Sequence, residues 1–243
     1  MVGKSQIKYI RSLQQKKHRK ASGLFVAEGV KLVNELLLSG YSPRFLYTTD
    51  PEILPENVPP FEVVKEADLI RMSGLRSPNK VLAVFPIPES SPFIGEGWIL
   101  ALDSVQDPGN LGTIIRLCDW FGIPNLVCSE DTVDCYNPKV LQATMGSIAR
   151  VNLFYTPLSE FLSNSKKPVY GAFMNGESAY GVRWPDSGVL VMGNEAHGIS
   201  GEVGDHIHKK VSIPQFGRVS AESLNVATAT AILLSELRRN PGN

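Results

Sequence analysis

From Trp98 onward the chain alternates short apolar runs with stretches of helical spacing, a pattern that restricts it to a sheet with helices packed on it. Strands are expected at 98–105, 126–129, 151–155, 169–174, 189–193 and 211–214, and helices at 111–121, 138–148, 158–163 and 223–239. Runs such as Trp98-Ile-Leu-Ala-Leu102 and Val189-Leu-Val-Met192 have no polar face to offer water. Both faces of such strands must be covered, which predicts an α/β fold with a parallel sheet.

The first part of the chain reads as a smaller alternating α/β unit. A helix is expected over 4–20, a strand at 24–27, and a helix over 30–39 with Val30, Val33, Leu36 and Leu37 on one face and Gly40 ending it. Strands at 44–49, 61–65 and 81–87 and a short helix at 66–72 complete the unit. Between Pro86 and Gly97 the residues Pro88, Ser90, Ser91, Pro92 and Gly95 interrupt any apolar period. The expected organisation is therefore a domain over 1–88, a linker over 89–97 and a larger domain over 98–243.

With 43% hydrophobic and 20% charged residues, the composition is that of a globular chain and excludes disorder. No apolar run reaches the roughly 20 residues of a membrane helix, and the basic N-terminus lacks an apolar signal core, so a cytoplasmic protein with no membrane partner is expected. Cys118, Cys128 and Cys135 form no Cys-x-x-Cys pair and read as small buried residues. His206 and His208 have no third ligand nearby and read as a solvated loop pair; no metal is expected.

Three stretches carry chemistry. In the first, Asp107-Pro-Gly-Asn110 supplies turn residues after a strand, and Leu111, Ile114, Ile115, Cys118 and Phe121 form the buried stripe of the next helix. Arg116 falls off that stripe and carries a fixed charge suited to phosphate or a developing alkoxide. In the second, Gly193 ends a strand where a ligand can approach the backbone, with Glu195 two residues on. In the third, Ile213-Pro214 ends a strand and Ser223-Leu-Asn225 opens the last helix; one cap needs only one of the two polar groups. A Gly-x-Gly-x-x-Gly loop is absent, which leaves a Rossmann-type nucleotide-dependent enzyme without support.

In this order and place, the three stretches resemble the signature motifs of the SpoU family of RNA ribose 2′-O-methyltransferases, within the SPOUT superfamily. The resemblance spans nearly the whole chain, best from Ala101 to Leu237, and Phe25-Val-Ala-Glu-Gly-Val-Lys-Leu-Val-Asn-Glu-Leu37 is similar to the accessory substrate-binding domain of many members. It implies a C-terminal trefoil knot, S-adenosylmethionine as methyl donor, and a homodimer with the site at its interface. It makes Arg116 the residue that handles the ribose hydroxyl, with Asn110, Glu195, Ser223 and Asn225 completing the site. The donor is expected against Gly193, Ile213 and Leu224, near Met174 or Asn175. One departure is the segment 217–222, longer than in the common family pattern.

The formal net charge is zero, but Lys4, Lys8, Arg11, Lys16, Lys17, Arg19 and Lys20 all precede the first acid, Glu28. Alone, such a run reads as a solvated helix face. With the family resemblance, Lys16, Lys17, Arg19 and Lys20 become expected contacts to an RNA backbone, ribosomal or transfer RNA. The competing reading is a ribosome-assembly or RNA-binding protein with a retired site; the intact polar set at Asn110, Arg116, Glu195, Ser223 and Asn225 argues against it.

Overall fold

The computed structural model describes residues 2–89, 93, 97–217 and 223–239. The chain divides into two compact units, Met1–Glu89 with Asp134–Arg150, and Ser90–Val133 with Val151–Asn243. Most of the expected linker, and most of the long approach at 217–222, lie outside the described residues. Among the described residues no helix is long and apolar enough to cross a membrane.

The first unit contains α1 (Lys4–Ser12), α2 (Lys16–Ser22), β1 (Leu24–Glu28), α3 (Val30–Leu38), β2 (Phe45–Thr48), β3 (Glu62–Val63), α4 (Glu66–Met72) and β4 (Val81–Pro86). The strands form one sheet in the order β1-β4-β2-β3, with β4 antiparallel to both neighbours. Ile10, Leu13, Val26, Leu69, Met72 and Leu82 are buried in one cluster on this sheet.

The single helix expected over 4–20 is two helices, and Arg19 supplies the reason. Its Nη1 donates to the carbonyls of Leu13 at 3.0 Å and Gln14 at 2.9 Å, the residues at which α1 ends. Backbone acceptors freed by the break are thereby satisfied inside the protein. Nε and Nη2 of the same guanidinium bond Asp134 Oδ2, at 3.2 and 2.5 Å. Arg19 is only 3% exposed. Its place among the RNA contacts is therefore corrected: four of its five N–H donors are engaged inside the first unit, and burial closes the side chain to phosphate. Lys16, Lys17 and Lys20 remain exposed.

The segment Asp134–Arg150, expected within the second domain, packs instead into the first unit. Besides Asp134, the Tyr136 ring lies 4.7 Å from that of Phe25 and Gln142 Nε2 donates to the Glu28 carbonyl at 2.5 Å. Arg150 pairs with Glu35 at 2.7 Å. Glu28 itself is buried, and its carboxylate accepts from Ser73 Oγ, from the Gly74 amide at 2.9 Å and from Gln14 Nε2 at 3.2 Å.

The second unit holds β5 (Trp98–Leu102), α5 (Pro108–Phe121), β6 (Asn125–Cys128), β7 (Asn152–Tyr155), α7 (Leu158–Ser163), β8 (Val169–Ser178), β9 (Gly188–Met192), α8 (Gly201–Gly204), β10 (Lys209–Ser212) and α9 (Val226–Arg238); α6 (Pro138–Thr144) belongs to the first unit. Its six strands are parallel throughout, in the order β10-β8-β9-β5-β6-β7. β5 and β9 are buried along their whole length, as their uninterrupted apolar runs require. All three cysteines are buried, and burial pushes the Cys118 thiol far above its ordinary value.

β8 departs from the expected strand 169–174 by running on to Ser178. Its pairing with β10 jumps from Lys210↔Gly171 to Val211↔Glu177, so residues 172–176 leave the ladder. Gly176 makes the rejoining possible: a Cβ there would lie 2.6 Å from the Val211 nitrogen.

Replacing Arg19 by alanine leaves Asp134 and two backbone carbonyls unmatched and is expected to lower unfolding stability by about 3 kcal/mol. Lys16→Ala, at an exposed position, should change it by less than about 0.5 kcal/mol. Denaturant titration of the full chain checks the pair; equal small effects would show that Arg19 is not a structural residue.

Candidate active site

Parallel strands end on one edge of their sheet, so the segments leaving β5, β9 and β10 converge there. Two helices begin at the same edge. α5 starts with Asp107, whose Oδ1 accepts from the Asn110 amide at 2.8 Å, and Pro108 occupies its first position. α9 starts at Asn225, whose Oδ1 accepts from the amides of Ala227 at 2.9 Å and Thr228 at 3.2 Å. Arg238, in the last turn of α9, donates to the carbonyls of Phe121 and Gly122, both at 2.8 Å, at the end of α5. The two helices therefore run side by side in the same direction, with both N-termini at the site.

The cap determines what the rest of the Asn225 side chain does. Its oxygen must face the helix amides, so its Nδ2 points away and donates to Asn110 Oδ1 at 2.9 Å. Asn110 is oriented in turn, and its own Nδ2 donates to Glu195 Oε1 at 2.9 Å. A directed chain of hydrogen bonds, Asn225 to Asn110 to Glu195, thus joins all three sequence motifs.

Glu195 sits on a loop that is built rigidly. Asn194 and Gly198 exchange backbone hydrogen bonds at 2.9 Å, and Asn194 Oδ1 accepts from Ala196 at 2.8 Å and His197 at 3.1 Å. Asn194 Nδ2 donates to the Ser104 carbonyl at 2.6 Å, and the buried Asp103 accepts from the Ser200 amide at 2.7 Å. Ser104 is held at a φ of 58°, a left-handed conformation uncommon for serine. Its hydroxyl and that of Ser129 each donate to Asp131 at 2.6 Å, and these bonds, Ser104 first, hold the Asp131 carboxyl below its usual range.

Asp103, Ser104 and Asn194 are site-shaping residues that the sequence did not single out. An acid directly after the apolar run Trp98–Leu102 is a signal for Asp103; the positive φ of Ser104 leaves none.

Gly193 has a structural reason besides the ligand approach expected of it. A Cβ there would lie 2.2 Å from the Gly198 carbonyl carbon and 2.3 Å from the Ile199 nitrogen. The space is used by its own loop, so a side chain would displace the turn that carries Glu195 before it met any ligand.

Of the other expected residues, Ile213 is half-buried just past β10, while Leu224 and Met174 are exposed apolar side chains, 48% and 64%. Asn175 and Ser223 are exposed. Arg116 is exposed on α5, and six residues from Asn110 place it about 9 Å along the axis and about 240° around it. It leaves the helix on another side and makes no hydrogen bond or ion pair with a described residue. The structure thus unites Asn110, Glu195 and Asn225, and leaves Arg116 and Ser223 outside that chain. Among the described residues no three His, Cys, Asp or Glu side chains are grouped to hold a metal. His206 and His208 precede β10, and His208 Nδ1 accepts from the Val169 amide at 2.9 Å.

Comparison with known proteins matches residues 97–235 to the SpoU rRNA methylase family and residues 4–83 to an MRM3-like substrate-binding domain. The 23S rRNA (guanosine(2553)-2′-O)-methyltransferase RlmP of Bacillus subtilis is 30% identical over 239 residues, covering 96% of this chain and 95% of that one. A solved structure of a TrmH-family protein from Porphyromonas gingivalis superposes with a TM-score of 0.88 at 41% identity, covering 98% of this chain and 99% of that one. An AdoMet-bound rRNA methyltransferase from Sinorhizobium meliloti superposes with a TM-score of 0.86 at 30% identity, covering 99% and 97%.

Two substitutions separate scaffold from site. Asn225→Asp keeps an acceptor for the cap but sets an oxygen against Asn110 Oδ1, so thermal stability should hold within about 1 kcal/mol while the site is disordered. NMR of the Asn110 side-chain amide, shifted in the variant at unchanged melting temperature, checks it. Gly193→Ala should lower the melting temperature by several degrees, and a wild-type melt would show that the loop tolerates a Cβ.

Proposed function

Because the chain belongs to the SpoU rRNA methylase family, we propose that it transfers a methyl group from S-adenosylmethionine to a ribose 2′-oxygen of ribosomal RNA, as a cytoplasmic homodimer. The observation that carries the reading is the hydrogen-bond chain Asn225–Asn110–Glu195, which builds one polar centre from segments 85 and 115 residues apart. A retired site has no use for such alignment, which counts against a purely RNA-binding protein.

The residues present fit the donor. Exposed Met174 on the outer part of β8, exposed Leu224 ahead of α9 and half-buried Ile213 after β10 offer apolar surface, as an adenosine with an amino-acid tail needs. When bound, S-adenosylmethionine supplies a methyl group activated by a positively charged sulfur. The protein's task is then to align the 2′-oxygen and to stabilise its growing negative charge. We assign the second role to Arg116, whose guanidinium stays charged and cannot accept the proton; that proton leaves to an RNA phosphate or solvent. The exposed position of Arg116, away from the Asn110 chain, accords with a site completed at a subunit interface. Threading of the C-terminal segment into a knot belongs to the same reading. So does RNA binding by Lys16, Lys17 and Lys20 of the first unit, which resembles a substrate-binding domain.

Three measurements follow. S-adenosylhomocysteine at saturating concentration should raise the melting temperature, and no shift would count heavily against methyl transfer. Arg116→Ala should slow single-turnover methylation of ribosomal RNA about 10²-fold or more with RNA and cofactor affinities little changed, and Arg116→Lys should rescue poorly because it lacks the planar fork. Neutralising Lys16, Lys17 and Lys20 together should weaken RNA binding and flatten its dependence on salt by up to about three units of log–log slope. An unchanged slope would make them a solvated face.

A further inference from the structure

Two aromatic rings stand in solvent at the edge of the sheet that carries the site. Phe216 is 86% exposed and Tyr180 43%, and their rings are nearly parallel, 11° apart in plane with centroids separated by 6.4 Å. The arrangement is set by the strands below. Tyr180 lies two residues past the end of β8 and Phe216 four past the end of β10. Those ends are held together where Ser212 pairs with Ser178 and the Ala179 amide donates to the Ser212 carbonyl at 2.8 Å. Both chains therefore leave the sheet side by side at its carboxyl edge. In the sheet order β10 and β8 stand next to β9, whose outgoing loop carries Glu195, so the pair leaves the same edge as that loop.

Leaving a phenyl ring in water forgoes the burial that Trp98, Leu100, Leu102, Leu111 and Ile114 of this unit obtain; Trp120 on α5 is as exposed, but it stands alone, whereas Phe216 is paired with Tyr180, and paired apolar surface beside a site fits a ligand. A flat ligand is indicated, because two near-parallel rings present flat faces rather than a rounded pocket. Proteins that recognise structured RNA most often take hold of loops and bulges, whose unstacked bases can be splayed out and stacked on aromatic side chains. We infer that Tyr180 and Phe216 form a stacking platform for a nucleobase of the RNA, that of the target nucleotide or its neighbour, an inference that rests on the 2′-O-methylation reading above. The exposed Arg183, three residues after Tyr180, provides a positive charge for the adjoining phosphate. Met174, Leu224 and Ile213 already provide apolar surface for the cofactor, which leaves the aromatic pair for the second substrate. Stacking on such a pair is sequence-tolerant, since every base has an aromatic face; the platform holds the ribose in place and does not read the base.

The test compares full-length Phe216→Ala, Tyr180→Ala and Phe216→Trp with wild type, using unmodified ribosomal RNA transcribed in vitro and S-adenosylhomocysteine as separate probes. Each alanine variant should lose at least about fivefold in kcat/KM, the low end for one aromatic–base stack, through KM more than kcat. Phe216→Trp should retain or improve on wild type. Binding of S-adenosylhomocysteine and the melting temperature should not move, since both rings are surface residues. Unchanged kcat/KM in both alanine variants overturns the inference. Loss of S-adenosylhomocysteine binding overturns it too, assigning the rings to the cofactor's adenine. If wild type itself methylates no RNA under any condition, the functional reading fails, an outcome distinct from either.

Discussion

The side-chain amide of Asn225 can point only one way, and much of the site depends on that. Two α9 amides at 2.9 and 3.2 Å demand its oxygen, so its nitrogen is turned to Asn110, whose nitrogen is turned to Glu195. A helix cap is thereby converted into the orientation of a carboxylate on another loop. The cost of an unmatched polar group is what transmits the constraint, since each reversed amide would set like against like at two hydrogen bonds. Arg238, closing the far end of α5, keeps the two helices in step so that the caps meet.

The loop bearing Glu195 is held with equal economy. Asn194 uses its oxygen to close the turn and its nitrogen to fasten the turn to Ser104, while Asp103 fastens the next residues through Ser200. The strained φ of Ser104 fits a carbonyl aimed at a neighbouring strand's loop instead of along its own. Gly193 and Gly176 serve the same end by letting backbone meet backbone where a methyl group has no room. A polar centre mounted on such loops is pre-organised, which is what positioning a weak nucleophile such as a ribose hydroxyl calls for.

In the first unit, a basic run is sorted by burial into two functions. Arg19 is inside, satisfying the carbonyls at the helix break and the Asp134 carboxylate, and Glu28 is inside, tying Gln14, Ser73 and Gly74 together. Lys16, Lys17 and Lys20 stay outside with their charge available. Arginine suits the buried place because its planar fork of donors can serve several acceptors at once, whereas lysine is more strongly hydrated.

The amino-acid sequence by itself determined the parallel α/β class, the order of the six strands of the larger sheet along the chain and three polar stretches at strand ends, because apolar periodicity and turn residues are local signals. It also marked Asn225 as one of two candidate caps and Asn110 and Glu195 as polar residues at strand ends. Only the tertiary structure decided that these three share one hydrogen-bond chain, that Gly193 serves its own loop, and that Arg19 is buried. It alone placed Asp134–Arg150 with the first unit and set Tyr180 beside Phe216. Each of these depends on groups far apart in the chain meeting at a few ångströms, and the spacing of residues along a sequence carries no record of such distances.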